Sequence, residues 1–147
     1  MKNLSKDVKI TVVAAAEIAA TTEIVTSVLD MKGYEGVMFL ALTGDATSGS
    51  VLTLTVKGNT ANSTSSPTPI TQAATVARTA GASDSDSKLL MVDVDHVVHR
   101  YVFGSLTRAT QNCVVGGIIA IQYGAHNKPT TNDASVVAEK FGLGTLS

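Results

Sequence analysis

The stretch from Lys88 to Ala125, KLLMVDVDHVVHRYVFGSLTRATQNCVVGGIIAIQYGA, contains three β-type runs separated by a charged corner and a polar turn. The runs are Leu89–Val94, Arg100–Leu106 and Val114–Tyr123, and they are rich in the Val, Ile, Tyr and Phe that suit a pleated, half-buried surface. The Thr-Gln-Asn turn at residues 110–112 divides the last two runs. The stretch therefore predicts sheet, and it carries no recognisable active-site motif.

Apolar residues recur at every second position in much of the remaining chain. Val51–Lys57, VLTLTVK, alternates strictly and predicts an antiparallel strand with one face in water. Gly36–Leu42, GVMFLAL, is uniformly apolar and predicts a central strand. Val8–Val13 and Glu23–Leu29 predict two more strands, and the link AAAEIAATT at residues 14–22 is either a helical turn or irregular.

Two polar tracts, Asn59–Pro69 and Thr79–Ser87, predict long loops that cross between sheets or reach toward a neighbour. About eight short strands, with turn signals between them and no helical period, predict an all-β fold, an antiparallel β-sandwich or jelly roll with extended terminal arms. Gly116 and Gly117 within the last apolar run predict a bulge or a close backbone approach. We expect one domain over residues 1–147, with its core at about 8–126.

The C-terminal segment Asn127–Ser147 has too little periodic apolar content for a core strand, so it predicts an extended arm. A short helical turn is expected at Asp133–Lys140, with Asn132 or Asp133 as its cap. Several apolar side chains of the arm would be left in water unless they dock on another chain. The predicted interface to neighbouring subunits consists of the N-terminal residues 1–5 and four apolar residues of the arm: Val136, Val137, Phe141 and Leu143.

Composition and charge restrict the class of function. Of the 147 residues, 16% are charged and 44% hydrophobic, which is typical of a folded domain. The net charge is −1 and there is no basic run, which disfavours nucleic-acid binding. Cys113 is the only cysteine, which excludes an intrachain disulfide and a thiolate zinc cluster built from one copy of the chain, and its apolar context predicts burial. With neither a signal peptide nor a membrane span in the sequence, we expect a soluble protein or part of a soluble assembly.

The densest group of potential ligands, Asp93, Asp95, His96 and His99, is typical of a solvated strand edge. The two histidines are three residues apart and face opposite ways on a strand, and no third or fourth ligand follows at motif spacing. The DSDS segment at residues 84–87 begins like a calcium loop but lacks its Gly and closing Glu. No nucleophile turn, phosphate loop or dinucleotide fingerprint is present. We therefore expect no catalytic residues, no metal, no cofactor and no enzymatic activity.

The segments VLDMKGYEGVMFLALTG, VLTLTVKGNTA, KLLMVDVDHVVHRYVFGSLTRAT and CVVGGIIAIQYGAHNKP follow one another in the chain. Their order, with phrases such as LDM-x-GYEGV, VDV and RYV, resembles the capsid cement (decoration) proteins of tailed bacteriophages. Several of these proteins are jelly-roll or sandwich domains clamped over the outside of the shell. The resemblance covers about Val25 to Pro129.

The resemblance implies a structural protein of the virion that is assembled in the host cytoplasm and ends on the capsid exterior. It would bind the outer face of the major capsid protein, bridge adjacent capsomers and stabilise the head. A homodimer or homotrimer is implied too. The alternatives are a phage tail, neck or spike component and, from another class, a carbohydrate-binding β-sandwich module, which the absence of Trp and the 4% aromatic content disfavour.

Overall fold

A computed structural model describes residues 3–70, 74–142 and 144. A single 3-10 turn at Leu4–Lys6 precedes eleven β-strands. The strands are β1 Lys9–Ala14, β2 Glu17–Ala20, β3 Ile24–Val25, β4 Leu29–Asp30, β5 Gly36–Ala46, β6 Val51–Asn59, β7 Thr68–Pro69, β8 Thr75–Thr79, β9 Leu89–Val94, β10 Tyr101–Ala109 and β11 Cys113–Tyr123. Within these residues, no helix is long and apolar enough to cross a membrane.

The strands form two antiparallel sheets. Sheet A has the order β1-β11-β5-β9, with β2 also paired to β11. Sheet B has the order β3-β10-β6-β7, with β4 paired to β10 and β8 paired to β6. The predicted all-β antiparallel sandwich is confirmed.

The pairing of the main strands is that of a jelly roll. With β3 and β4 counted as one strand, and the short β2 and β7 set aside, eight strands remain. The first pairs with the last (β1 with β11), the second with the seventh (β3 and β4 with β10), the third with the sixth (β5 with β9) and the fourth with the fifth (β6 with β8). A long hairpin rolled up in this way divides its strands between two sheets.

The core lies between the sheets and is built from the inward-facing half of each strand. On β6, Leu52, Leu54 and Val56 are buried while Thr53 and Thr55 between them are not, which is the predicted alternation. β5 is central, between β11 and β9, also as predicted. The largest fully buried apolar side chains come from both sheets: Phe39, Leu52, Leu54, Leu106 and Ile118.

The interpretation of residues 14–22 as a helical turn or irregular link was wrong, because β2 pairs with β11 in this segment. The segment is fixed by Arg108, a residue that the sequence did not single out. Arg108 is 2% exposed, and its guanidinium group donates to the backbone carbonyls of Ile18, Thr22 and Cys113 at 2.7–2.9 Å. These bonds come from a side chain in the interior of the protein. The pattern of apolar residues within 14–22 therefore could not have predicted them.

The predicted strand Glu23–Leu29 is divided into β3 and β4. Between them, the Thr26 hydroxyl accepts a hydrogen bond from the Gly104 N–H at 2.8 Å, and the Thr26 N–H donates to the Gly104 carbonyl at 2.9 Å. A side chain thus takes over one bond of the ladder, as Thr side chains can. β10 runs unbroken past this interruption.

The first predicted long loop ends in β7, which pairs with the end of β6, so Asn59–Pro69 is not loop throughout. Pro69 is tolerated there because β7 lies at the edge of sheet B. β8 had not been predicted, whereas the irregular segment after it corresponds to the predicted loop Thr79–Ser87. The predicted bulge is present, since the β11–β5 register shifts between Val115 and Gly117, where Gly117 has φ of 127°.

Candidate assembly surfaces

The outer side of sheet A is covered by aliphatic side chains that stand in register across four strands. One row joins Val12, Ile119, Leu40 and Met91 on β1, β11, β5 and β9. The rows on either side are also apolar except at the β9 position of one of them, Asp93. We call this surface the apolar face, and it consists of Ile10, Val12, Met38, Leu40, Leu42, Leu89, Met91, Ile119 and Ile121.

Five members of the apolar face are strongly exposed, with relative accessibilities between 40% for Ile119 and 59% for Leu89. The other four are half-buried by their neighbours in the sheet. No described segment of the chain lies over them as a third layer. Strands whose two faces are both apolar are typical of sheets that are covered on both sides. Here one side is covered by sheet B, and the other is open.

Glycines at both ends of the apolar face let neighbouring side chains lie close to the sheet. The Tyr123 ring lies over Gly36, where a Cβ atom would be 2.3 Å from it. Leu42 covers Gly116 in the same way, with 3.1 Å to a Cβ. The Tyr123 hydroxyl donates to Asp93 at 2.5 Å, and burial together with this carboxylate raises the pKa of Tyr123. The Tyr123 ring therefore borders the apolar face, which ends there in a polar contact.

The outer side of sheet B has a different chemistry. Its rows include Thr75 beside Thr55, whose hydroxyls are 3.1 Å apart, and Ala77 beside Thr53 and Thr107. Strand alternation places Phe103 on this side of β10 as well, but it is 2% exposed and contributes no apolar surface. The Thr hydroxyls on this side can form hydrogen bonds with water, so this side needs no partner protein to cover it.

The C-terminal arm runs along β1, which is the edge strand of sheet A. Thr130 begins the contact by donating its N–H to the Lys6 carbonyl at 2.8 Å and its hydroxyl to the Val8 carbonyl. Three further hydrogen bonds continue it along alternate β1 residues: Ile10 N–H to Asn132 Oδ1 at 2.9 Å, Asp133 N–H to the Ile10 carbonyl at 3.2 Å and Val12 N–H to Ser135 Oγ at 2.9 Å. The arm thus satisfies the outward groups of an edge strand that would otherwise be free to pair with another chain.

The helical turn predicted at Asp133–Lys140 is absent. Asp133 instead organises one tight turn, in which its carboxylate accepts from the Ser135 N–H at 3.0 Å and its carbonyl from the Val136 N–H at 2.9 Å. Asp and Asn side chains favour such turns over a helix interior because they bond their own nearby backbone.

The predicted interface residues of the arm lie after this turn, and none of those described belongs to the core. Val136 is half-buried, while Val137 is 94% exposed. Phe141 is only just exposed, and the Lys6 ammonium lies 4.7 Å from the centre of its ring. Leu143 lies outside the described residues. Contact of these four residues with another chain remains a prediction.

The acidic and histidine residues at the end of β9 line a cavity of about 390 Å³ together with Ile70, Val97 and Val98. His96 is in the left-handed region with φ of 52° and pairs with Asp95 at 2.7 Å in solvent. His99 packs over Gly58 of β6. In the described part of the chain, no three His, Cys, Asp or Glu residues are grouped closely enough to hold a metal ion.

The two aspartates of the DSDS segment have structural partners. Asp84 accepts from the Gly81 N–H at 2.7 Å and from Arg78, and the Gly81 bond is the main cause of its lowered pKa. Asp86 accepts from the Ala46 N–H at 2.9 Å. Cys113 is buried as predicted, and burial raises the pKa of its thiol, which disfavours the reactive thiolate.

No protein-family model matches the sequence, and no curated protein matches it. Among solved structures, the PBSX exported protein XepA has a TM-score of 0.51 and 18% identity over all of this chain. The chain spans 45% of the length of that protein. A structure of infectious bursal disease virus, Gx strain, has a TM-score of 0.48 and 10% identity over 83% of this chain and 33% of the other. The likeness to XepA shows a shared fold.

Proposed function

We propose that this protein is a structural component of a tailed-phage virion, a cement protein that binds the outer surface of the major capsid shell and bridges capsomers. The observation that carries the proposal is the C-terminal arm, which is anchored along β1 and exposes Val137 beyond its anchor. The apolar face marks the domain as one that assembles with other protein chains. Exposed apolar surfaces of this kind mark interaction sites. The sequence resemblance to cement proteins supplies the capsid as partner, and a fold shared with a phage exported protein is compatible with that setting.

The arm supports the proposal because it joins two functions in one segment. Residues up to Ser135 anchor it to β1, and beyond the turn Val137 is exposed. A side chain fixed in this way reaches a neighbour with less loss of conformational entropy than one on a free tail. Many copies, each with a modest contact, would together hold adjacent capsomers strongly.

Co-sedimentation with expanded capsids of the phage that encodes the protein tests the proposal. Purified protein is expected to pellet with capsids, and cryo-electron microscopy of the particles is expected to place it over the seams between capsomers. Protein found in the tail, neck or spike would favour that alternative instead. Failure to bind capsids or any other part of the particle would refute the proposal.

Two truncations separate the functions of the arm. Removal of residues 137–147 eliminates Val137 and Phe141 but retains every hydrogen bond to β1, so weaker capsid binding with unchanged thermal stability is expected. Removal from Lys128 onward also exposes the β1 edge, and we expect a folded domain that binds capsids no better than the shorter truncation. Unchanged affinity in both variants would show that the arm has no role in attachment.

A further inference from the structure

We propose that the apolar face is occupied by a second copy of this chain, so that two sheets A pack against each other in a symmetric dimer. The proposal goes beyond attachment to a capsid, since it assigns the sheet to self-association and leaves the arms for other contacts. It rests on the chemistry, shape and size of the face.

The chemistry of the face suits an identical partner. Its nine members carry no charge and no hydrogen-bonding group. A two-fold axis brings the same patch of both subunits together, and charged groups within it would then oppose their own copies. Asp93, the charged residue that ends one row, lies at the β9 edge and accepts from Tyr123. A face without internal charge meets its own copy with no electrostatic cost.

The shape of the face suits packing of sheet on sheet. The register is regular along Lys9–Val12 with β11, along Gly117–Tyr123 with β5 and along Val37–Leu42 with β9. The rows of Val12 and Ile10 therefore run from β1 to β9, whereas the row of Leu42 and Leu89 ends at Gly117 of β11. Two sheets with the same twist pack with their strands about 30° apart and about 10 Å between layers. Met38 and Met91 add flexible side chains that fill irregular gaps.

The size of the face matches the centre of a dimer interface. Nine positions, on strands about 4.8 Å apart and in rows about 6.8 Å apart, give a flat footprint of roughly 300 Å². A standard interface takes about 800 Å² of accessible surface from each partner, with a polar rim around an apolar centre. The face supplies that centre, and the arm beside β1 continues the surface at one edge.

A second copy is also the partner that physical chemistry favours over capsid protein. The outside of a shell is in water before cement protein binds, and soluble surfaces rarely carry extended apolar patches. Covering the face with another chain before assembly removes its apolar side chains from water. Identical subunits are present together as soon as they are made. The resulting dimer carries two arms, so its attachment to a shell would be bivalent.

Sedimentation velocity of the full chain over a range of concentrations tests the dimer. The chain mass is 15.1 kDa, so the expected species is about 30 kDa. Met91→Glu, at an exposed position on the edge strand of sheet A, is expected to shift the species to the monomer mass. Ala77→Glu, at the matching exposed position on β8 of sheet B, is the control and should remain dimeric. A wild-type monomer at all concentrations, or a dimer unaffected by Met91→Glu, would overturn the proposal.

A cysteine cross-link tests the same surface without adding a charge. Ile119 lies in the middle row of the apolar face, so Ile119→Cys should oxidise to a covalent dimer, whereas Ala77→Cys should not. The native Cys113 is 0% exposed and does not compete. Because a disulfide needs the two Cα atoms within about 7 Å, which holds only near the two-fold axis, Leu40→Cys and Met91→Cys of the same row are tested as well. Failure of all three to cross-link in a protein that sediments as a dimer would place the interface elsewhere. A dimer that does not bind capsids would refute the proposed function alone, and a monomer that binds them would refute this inference alone.

Discussion

The two sheets are alike on their inner sides and opposite on their outer sides. On β5 of sheet A, Leu40 and Leu42 face outward, whereas on β6 of sheet B the outward positions are Thr53 and Thr55. A sandwich needs only one apolar side per sheet to form its core. The second apolar side of sheet A is therefore not needed to form the core, which is why we assign it to contact with another chain.

The first test of this comparison sets an inner and an outer position of the same strand against each other. Phe39→Ala removes a fully buried ring and should lower the free energy of unfolding by about 3–5 kcal/mol. Leu40→Ala truncates an outward side chain and should cost less than about 1 kcal/mol in dilute protein. Urea unfolding followed by circular dichroism at two protein concentrations measures both.

Protein concentration distinguishes the two roles. Because a dimer adds stability that depends on concentration, the effect of Leu40→Ala should grow in concentrated protein, while that of Phe39→Ala should change little. A loss for Leu40→Ala as large as that for Phe39→Ala at both concentrations would mean that the outer side is also needed for folding.

The second test concerns the place where the sheets are joined by polar contacts instead of apolar packing. Arg108→Ala would leave the carbonyls of Ile18, Thr22 and Cys113 without this donor. A fourth bond, to the Thr22 hydroxyl at 2.9 Å, is lost as well, and at about 1 kcal/mol for each bond the expected destabilisation is about 4 kcal/mol. Arg108→Lys keeps a single cationic donor group and should recover part of this loss. Hydrogen exchange should accelerate at β2 in both variants.

Arg108→Met is the matched control for packing, since it keeps an unbranched side chain but donates no hydrogen bond. It should be nearly as unstable as Arg108→Ala. If Arg108→Met were as stable as the wild type, the hydrogen bonds to β2 would contribute nothing and the two sheets would be held at this end by packing alone.

The sequence predicted the parts of the fold that depend on local alternation. β9 coincides with the predicted run, β6 and β11 differ from the predictions only by one or two residues at their ends, and β5 is central as expected. The sequence failed where pairing depends on a distant side chain. β2 is held by Arg108 and the break between β3 and β4 by Thr26, and neither bond is visible in the residues of the strand itself.

The candidate surface was partly visible in the sequence. GVMFLAL is apolar at successive positions, and this correctly predicted a central strand. The same pattern is shared by strands covered on both sides, so it could not say that the outer side lies open. That required the register of β5 with β9 and β11, which only the folded chain provides.

The third test concerns the edge of sheet A that the arm covers. Asn132→Ala removes the side-chain oxygen that accepts from the Ile10 N–H at 2.9 Å, and should cost about 1 kcal/mol. Asn127→Ala, at an exposed position earlier in the arm, is the control and should change stability by less than about 0.5 kcal/mol. Thermal melts with calorimetry measure both. Equal effects of the two changes would mean that the arm does not depend on its contact with β1.

The smallest expected effect is the response of the arm to acid. The Ser135 N–H bond lowers the pKa of Asp133 below 3.8, with a smaller contribution from nearby Lys9. A carboxylate with a lowered folded-state pKa stabilises the docked arm above its ordinary pKa, and that contribution is lost as the pH falls through the lowered value. Other charged groups lie near the arm, namely Glu139 beside Asn132 and the Lys128–Asp7 pair at 3.9 Å.

A variant at Asp133 separates its contribution from theirs. A fluorophore on Val137→Cys reports release of the arm as a fall in anisotropy, because the native thiol is buried. As the pH falls from about 5 through the ordinary value of 3.8 toward the lowered pKa of Asp133, the wild-type arm should loosen. Asp133→Asn, which keeps the acceptor but does not titrate, should show a smaller change with pH. If both proteins gave the same pH profile, the turn at Asp133 would have no part in holding the arm against sheet A.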